Sequence, residues 1–525
     1  MVSDPIFFPI FFEHAIVAPV VLPLLVGAAL VPIEGRWPRL ASALSLAAVL
    51  ALLAWSAALA AHADTGAVEA YLLGNWRAPF GIALALDRLS ALMLVLTALV
   101  ALGAVLYARG GEESRGAHFH ALLQFQLMGL NGAFLTADLF NLFVFFEVLL
   151  IASYGLLLHG GGPRRLKAAI HYVAFNLTGS ALFLIAVSLL YGLTGTLNMA
   201  DLAERVTRAP AEDAALLKTA ALLLLVVFSV KAALLPLYFW LPDTYSAAAA
   251  PVAALFAIMT KVGVYAIARV YTLVFGDAGG VVAQVAQPWL PWLALGTLAL
   301  AAQGVLAAGR LRELVAYLVV ASAGTLLLAL GLGTARTVAA GLFYLINSTL
   351  VAAALFLLID RIGAARGEAG DTLAAAPIDG ARGRLGTAYF VLAIAVAGLP
   401  PLAGFVGKAL LLQAAAASAW PVLVWAVVLV SSFALIIALA RAGSVVFWQA
   451  AEAANRTTPQ APAAQRAALP LLTLLVVAVA AFAGPLADYT QAAARQLFER
   501  QTYIDAVLGK QPAAPLWNPR EGVTK

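Results

Sequence analysis

The chain has 525 residues, of which 63% are hydrophobic and 11% charged, with a formal net charge of +5. A mean hydropathy of +0.96 and so few charges, against roughly 25% in ordinary soluble domains, exclude a soluble globular protein and predict an all-α polytopic membrane protein. Cysteine is absent, which removes disulfides, thiolate metal sites and iron–sulfur ligation, and the basic residues sit in short loops, where they report membrane topology rather than affinity for nucleic acid.

Apolar runs of about 20 residues predict fourteen spans, near 16–33, 40–62, 87–107, 117–136, 138–158, 168–193, 214–240, 247–275, 288–309, 313–333, 337–360, 386–416, 419–448 and 468–488. The N-terminus has neither a charged n-region nor a small-residue cleavage site, so the first run is expected to stay as an anchor. Residues 64–86 carry Gly-Asn and Ala-Pro turn signals between short apolar runs and predict an external hairpin. Alternate loops hold Arg36 and Arg39, Arg109 and Arg115, Arg164, Arg165 and Lys167, then Arg310 and Arg312, Arg361, Arg366, Arg382 and Arg384, and Arg441, Arg456 and Arg466. The opposite loops hold chiefly Arg77, Arg205, Arg208 and Arg336. The positive-inside rule then makes the first set cytoplasmic and puts both termini outside. The high alanine content fits a GC-rich bacterial genome, and the expected location is a bacterial cytoplasmic (inner) membrane.

Residues 361–385, rich in Ala, Gly and charge, read as a cytoplasmic linker between two halves. The stretch after residue 490, QAAARQLFERQTYIDAVLGK, is amphipathic and is expected at the membrane interface or against a neighbouring chain. An echo supports the two halves. Ala181-Leu-Phe-Leu184 recurs as Ala354-Leu-Phe-Leu357, each after a tyrosine and an asparagine, Tyr172 and Asn176 in one copy and Tyr344 and Asn347 in the other. Pro236 in the first half and Pro400 and Pro401 in the second predict paired helix breaks, because proline removes a backbone donor and clashes with the preceding turn.

Four ionisable residues fall well inside predicted spans: Glu147, Lys231, Lys261 and Lys408. A lone ammonium or carboxylate at that depth costs several kcal/mol and survives with a partner or in a watery cavity. A buried carboxylate and ammonium can offset one another, and burial favours the neutral form of either, so a row of them is a candidate proton wire. The alternative for any one pair is a structural role. Arg88, Arg269 and Arg441 are assigned to snorkelling or packing. His171 and Asp138, near span ends, are expected to be structural, and the spacing of His118 and His120 is not that of a metal site. There is no GxxxxGK[ST] loop, no HExxH and no nucleophile elbow. No cofactor or metal is therefore expected, and the chain is predicted to move ions rather than to act as an enzyme.

These motifs carry a resemblance. Asp138-Leu-Phe-Asn-Leu-Phe-Val-Phe-Phe-Glu147-Val-Leu-Leu-Ile-Ala-Ser-Tyr154, Lys231-Ala-Ala-Leu-Leu-Pro236 with Trp240-Leu-Pro242-Asp243, and Gly398-Leu-Pro-Pro-Leu-Ala-Gly-Phe-Val-Gly-Lys408 resemble the antiporter-like family. That family is shared by multisubunit Mrp-type (Mnh, Pha) cation/proton antiporters and the proton-pumping membrane subunits of complex I. The similarity runs over roughly residues 70 to 450, and the first motif resembles the D-type branch of the Mrp subunits. The resemblance implies about fourteen transmembrane helices, two inverted five-helix repeats and discontinuous helices 7 and 12. The chain then divides into an N-terminal three-helix segment with its hairpin (1–110), a first repeat (111–280), a second repeat (281–450), and a last span with an amphipathic tail (451–525).

It also implies roles. Lys231 takes up and releases a proton while Glu147 tunes it, and Lys261 passes charge towards Lys408. Many relatives have histidines where this chain has Leu318 and Asn347. Histidine titrates near neutrality and these residues do not, so water, Tyr317, Ser322 or Asn347 would have to bridge the wire there. The expected function is Na+/H+ exchange, with K+ or Li+ as alternative cations, alongside A-, B-, C-, E-, F- and G-like membrane subunits. The alternative is a proton-pumping subunit of a redox complex such as complex I or a membrane-bound hydrogenase.

Overall fold

A computed structural model describes residues 14–378, 382–449 and 463–509. Long apolar runs become helices because a backbone in hydrocarbon must satisfy its own hydrogen bonds. In chain order these are α1 (Ala18–Glu34), α2 (Pro38–Ala63), α3 (Arg88–Ala108), α4 (Phe119–Leu135), α5 (Leu139–Leu158), α6 (Pro163–Thr194) and the short α7 (Met199–Thr207). There follow α8 (Ala214–Ala232), α9 (Trp240–Ala247), α10 (Ala250–Leu273), α11 (Leu290–Ala307), α12 (Leu311–Gly331) and α13 (Ala335–Ala365). The chain continues through α14 (Arg382–Ala397), α15 (Ala403–Ala415), α16 (Pro421–Gly443), α17 (Ala463–Ala481), α18 (Ala483–Phe498) and α19 (Arg500–Leu508).

Among the described residues, 11 helical segments are long and apolar enough to cross a membrane, with Ala18–Glu34 and Ala403–Ala415 as shorter apolar helices. Every predicted span coincides with a helix or with a helix broken in two. Residues 386–416 break into α14 and α15 around Pro400 and Pro401, whereas in 214–240 α8 ends at Ala232 before Pro236 and the second half-helix, α9, lies almost wholly beyond the expected end at 240. At the last span the boundary differs from expectation. α17 stops at Ala481, and 483–488 belong to the next helix.

Local chemistry sets the helix starts. Asp87 and Ser90 form a reciprocal capping box on α3, and Thr334 with Thr337 does the same on α13. Asp138 accepts from the Asn141 amide at 2.8 Å, so its structural role is that of N-cap to α5. Pro23 inside α1 cannot donate to the carbonyl of Pro19, and Asn131 of α4 takes that acceptor at 2.8 Å. The proline thus explains a buried asparagine on another helix. The predicted hairpin is present as β1 (Glu69–Leu72) antiparallel to β2 (Ala83–Leu86).

α10 and α13 are buried along their whole apolar windows and form the centre of the bundle, whereas α2, α16 and α17 are peripheral. Lys261 and Asn347 therefore stand on the two helices furthest from lipid. Arg269, also on α10, does not snorkel. Its Nη1 lies 2.6 Å from Asp87 Oδ2, both side chains 3% exposed, and the Tyr503 ring of α19 lies 4.8 Å from its guanidinium carbon. Arg441 closes α11 by donating to Leu306 O at 2.8 Å, a C-terminal capping role.

The amphipathic tail has contacts within its own chain. It packs on this chain, burying Tyr503, Ile504 and Val507, while Tyr489 donates to Arg88 O at 2.9 Å and Gln496 to Gly66 O at 3.1 Å. Its apolar stripe covers the ends of α3 and α10 and the hairpin. The last residue of the stretch, Lys510, lies outside the described residues, as does Arg456.

Candidate functional site

α8 ends one residue after Lys231, at Ala232, and Ala233 turns the chain with a left-handed φ of 56°. Breaking a helix leaves its last carbonyls without partners. Here Val230 O accepts from the Trp240 indole Nε1 at 3.1 Å and Ser229 O from the Leu234 amide at 3.0 Å. The lysine, 6% exposed, turns instead to α6, where Nζ donates to Asn176 Oδ1 at 3.1 Å and lies 5.8 Å from the Phe146 ring centroid. Asn176 is held by its own Nδ2, which donates to Tyr172 O at 2.9 Å.

Glu147 does not touch Lys231 directly. The Ser180 hydroxyl, one helical turn from Asn176, contacts Glu147 Oε1 and also reaches Asn176 O at 3.0 Å. A hydroxyl has one proton, so it donates to one of these at a time. The carboxylate and the ammonium are thus joined through Ser180 and Asn176, not as an ion pair. Glu147 is partly exposed, in a row of α5 with Phe140, Val144 and Ile151, which are 50%, 39% and 65% exposed.

Lys261, 1% exposed at the middle of α10, donates to Ser322 Oγ of α12 at 2.6 Å. Tyr317 lies away from this contact, its ring packed against Gly304 of α11, and Leu318 is an apolar side chain in the core. On α13 Asn347 donates through Nδ2 to Ala395 O at 3.3 Å, and its buried Oδ1 has no hydrogen-bond partner among the described residues. Lys408, 8% exposed on α15, donates to Ala397 O at 2.7 Å and to Ser432 Oγ at 2.9 Å. Ala397 is the last residue of α14, so this ammonium sits on a carbonyl freed by the break.

The arginine-rich end of the bundle carries a second set of charges. Arg312 donates to Asp360 Oδ1 at 2.6 Å, and Tyr107 donates to the other oxygen of that carboxylate, also at 2.6 Å. Arg310 pairs with Asp371, and Arg164 lies 3.6 Å from Glu313. Between them is a hollow of about 350 Å³ lined by Arg115, Arg164, Arg310, Arg312, Asp360 and Asp371. Burial and the nearby Asp360 push the Glu112 carboxyl up, against Arg115, Arg165 and Arg312. Burial also raises Asp371, but the Arg310 hydrogen bond and charge hold it below the usual carboxylate range. Residues 366–378, within the expected linker 361–385, are anchored: Leu311 N donates to Asp371 O at 2.7 Å and Leu373 N to Gly309 O at 2.9 Å.

Sequence reasoning does not identify Asn176 and Ser432 as lysine partners, Ser180 as the partner of Glu147, or Asp87 as the partner of Arg269. Asn176 and Ser180 carry a readable signal, since residues four apart share a helix face. Ser432 and Asp87 have no such neighbour on their own helices and are set against their cations by packing alone. Among the described residues no group of three or more His, Asp or Glu side chains could hold a metal ion.

Residues 136–434 match the family described as NADH:quinone oxidoreductase/Mrp antiporter, TM. The chain is 43% identical to the D subunit of a probable K(+)/H(+) antiporter of Rhizobium meliloti (strain 1021), over 94% of this chain and 98% of that one. It is 35% identical to the D subunit of the Na(+)/H(+) antiporter of Bacillus subtilis (strain 168), over 94% and 99%. Its fold matches a chain of the Mrp complex from Dietzia sp. DQ12-45-1b with a TM-score of 0.85 at 28% identity, covering 95% and 100%. It also matches a chain of respiratory complex I from Thermus thermophilus with a TM-score of 0.74 at 27% identity, covering 92% and 99%.

Proposed function

Because this chain belongs to the NADH:quinone oxidoreductase/Mrp antiporter membrane family, we propose that it is the proton-translocating subunit of a multisubunit monovalent cation/proton antiporter. The observation that carries the reading is how three deeply buried lysines are held. Lys231, Lys261 and Lys408 each donate to neutral oxygens, of Asn176, Ser322, and Ala397 with Ser432. An ammonium locked in a buried ion pair would strand a bare carboxylate on losing its proton. One held by neutral acceptors can release the proton and accept it again. In this reading Lys231 loads and unloads under the influence of Glu147, Lys261 relays, and Lys408 ends the wire. The unpartnered Asn347 Oδ1 is an acceptor that a bridging water would satisfy.

The row containing Glu147 supports partner subunits, since a carboxylate part-open on a lateral face cannot be left to lipid. The relatives' names make Na+ and K+ the cations to test. The arginine-rich end is assigned to the cytoplasm and both termini to the outside of a bacterial inner membrane. The halves 111–280 and 281–450 are assigned as inverted repeats. Their long helices, α6 with 32 residues and α13 with 31, each aim an asparagine at a helix break: Asn176 at Lys231 and Asn347 at Ala395 O.

The test uses everted vesicles from cells expressing the chain with its native partner subunits. After respiration builds a pH gradient, Na+ and then K+ are added while a pH-sensitive dye is followed. Wild type should collapse the gradient on cation addition, and Lys231→Ala and Glu147→Gln should not, with assembly intact. No cation response from assembled wild type would overturn antiport in favour of a redox-driven proton pump. A response surviving both substitutions would make the two residues structural.

A further inference from the structure

The half-helix α9 is eight residues long, too short to be stable alone, and both its ends are held by side chains. At the arginine-rich end its terminal carbonyls form the negative pole of a helix dipole. Arg165 Nε of α6 donates to Ala247 O at 3.1 Å, and Arg312 Nη1 of α12 donates to Ala248 O at 2.9 Å. Arg312 keeps its other terminal nitrogen on Asp360, whose second oxygen holds Tyr107 of α3. One carboxylate thereby fixes the guanidinium that fixes the half-helix.

At the inner end Trp240 is 3% exposed and performs two tasks. Its indole donates to Val230 O, the carbonyl just before Lys231. Its ring stacks on Tyr172 with centroids 5.2 Å apart, and the Tyr172 carbonyl anchors the Asn176 amide that receives the ammonium. Any shift of α9 along its axis would move the backbone beneath the lysine and the arm carrying its acceptor together. Arg312 also stands at the base of α12, the helix that offers Ser322 to Lys261, so the same clamp registers two lysines of the wire.

We propose that Arg312 and Asp360 are positioning residues for Lys231, acting through α9 and Trp240 from the far end of the half-helix. The inference rests on the reading of Lys231 as a proton carrier. The experiment uses the intact complex in liposomes, with Na+-driven proton movement followed for Asp360→Asn, Arg312→Gln, Arg312→Lys, Trp240→Phe and the double variant Asp360→Asn/Trp240→Phe. A small displacement of a reacting group is expected to slow exchange about tenfold in Asp360→Asn, Arg312→Gln and Trp240→Phe. The half-saturating Na+ concentration should be unchanged. Arg312→Lys, which keeps a cation at Ala248 O, should recover most of the rate. The double variant should be no slower than its slower parent, because both substitutions interrupt one line of contacts.

Exchange within about twofold of wild type in Asp360→Asn and Arg312→Gln, or losses that multiply in the double variant, would overturn the proposal. Trp240→Phe keeps an aromatic ring in place and carries the test should loss of the ion pair prevent assembly; unchanged exchange in it overturns the proposal too. Lys231→Ala in the same liposomes separates the two readings. Exchange surviving in that variant sinks the relay itself, whatever the positioning variants do.

Discussion

The two helix breaks look alike in sequence, each a lysine beside proline, yet they satisfy their lysines by opposite means. At the second, Lys408 takes the free end of α14 through Ala397 O and adds Ser432. At the first, the corresponding carbonyls are already occupied, Val230 O by Trp240 and Ser229 O by the backbone of Leu234. Lys231 must therefore reach across to Asn176. A broken helix supplies acceptors, and which group claims them decides whether the lysine rests on fixed backbone or on a movable side chain. The second arrangement is suited to holding a charge. The first is suited to responding to one, because Asn176 and Ser180 lie between Lys231 and Glu147.

That contrast can be broken most severely at Asn176. Asn176→Leu removes the acceptor of a buried ammonium, worth about 1.5–3 kcal/mol, and should slow cation/proton exchange at least tenfold, about what such an energy implies. The matched change Asn347→Leu leaves both Lys408 acceptors in place and should cost much less; equal losses would erase the distinction between the breaks. Ser432→Ala sharpens it from the other side. Ala397 O remains to hold Lys408, so vesicle exchange should fall only about threefold.

The mildest effect concerns the segment that leads into the second break. The Asp371 carboxyl is depressed in the folded chain, so its contribution is present above the ordinary carboxylate range and lost as pH falls through the depressed value. Between about pH 7 and about pH 3, residues 366–378 should lose hydrogen-exchange protection after correction for intrinsic rates. Asp371→Asn should show the faster exchange at both pH values. Arg312 N donates to Asp371 Oδ2 at 3.4 Å, so residues 240–247, clamped through Arg312, should follow weakly, whereas the hairpin 69–86 should be untouched by the substitution. An equal change in the hairpin would mean a global loosening and not a response of this segment.

Much of this is legible in the sequence for definable reasons. Span positions follow from hydrocarbon thickness, and the breaks follow from Pro236, Pro400 and Pro401, because those properties act within a turn or two of chain. Glu147, Lys231, Lys261 and Lys408 stand out because charge in an apolar run is costly wherever the helix packs. Their partners are hidden because pairing is set by packing. Arg269 reads as a snorkelling or packing residue until the fold sets Asp87, near the start of α3, against it, and Tyr317 reads as one of several candidate bridges although its ring faces Gly304. The amphipathic tail shows that it has a face to bury but not which surface will bury it.

The Tyr503 ring over Arg269 has a consequence for biosynthesis. Chains fold from the N-terminal side as they leave the ribosome, so α3 and α10 enter the membrane and pair Asp87 with Arg269 while α19 is still unmade. During that interval the pair is open at the end that the tail later covers. A chain without α19 would therefore leave this buried charge pair uncovered at that end.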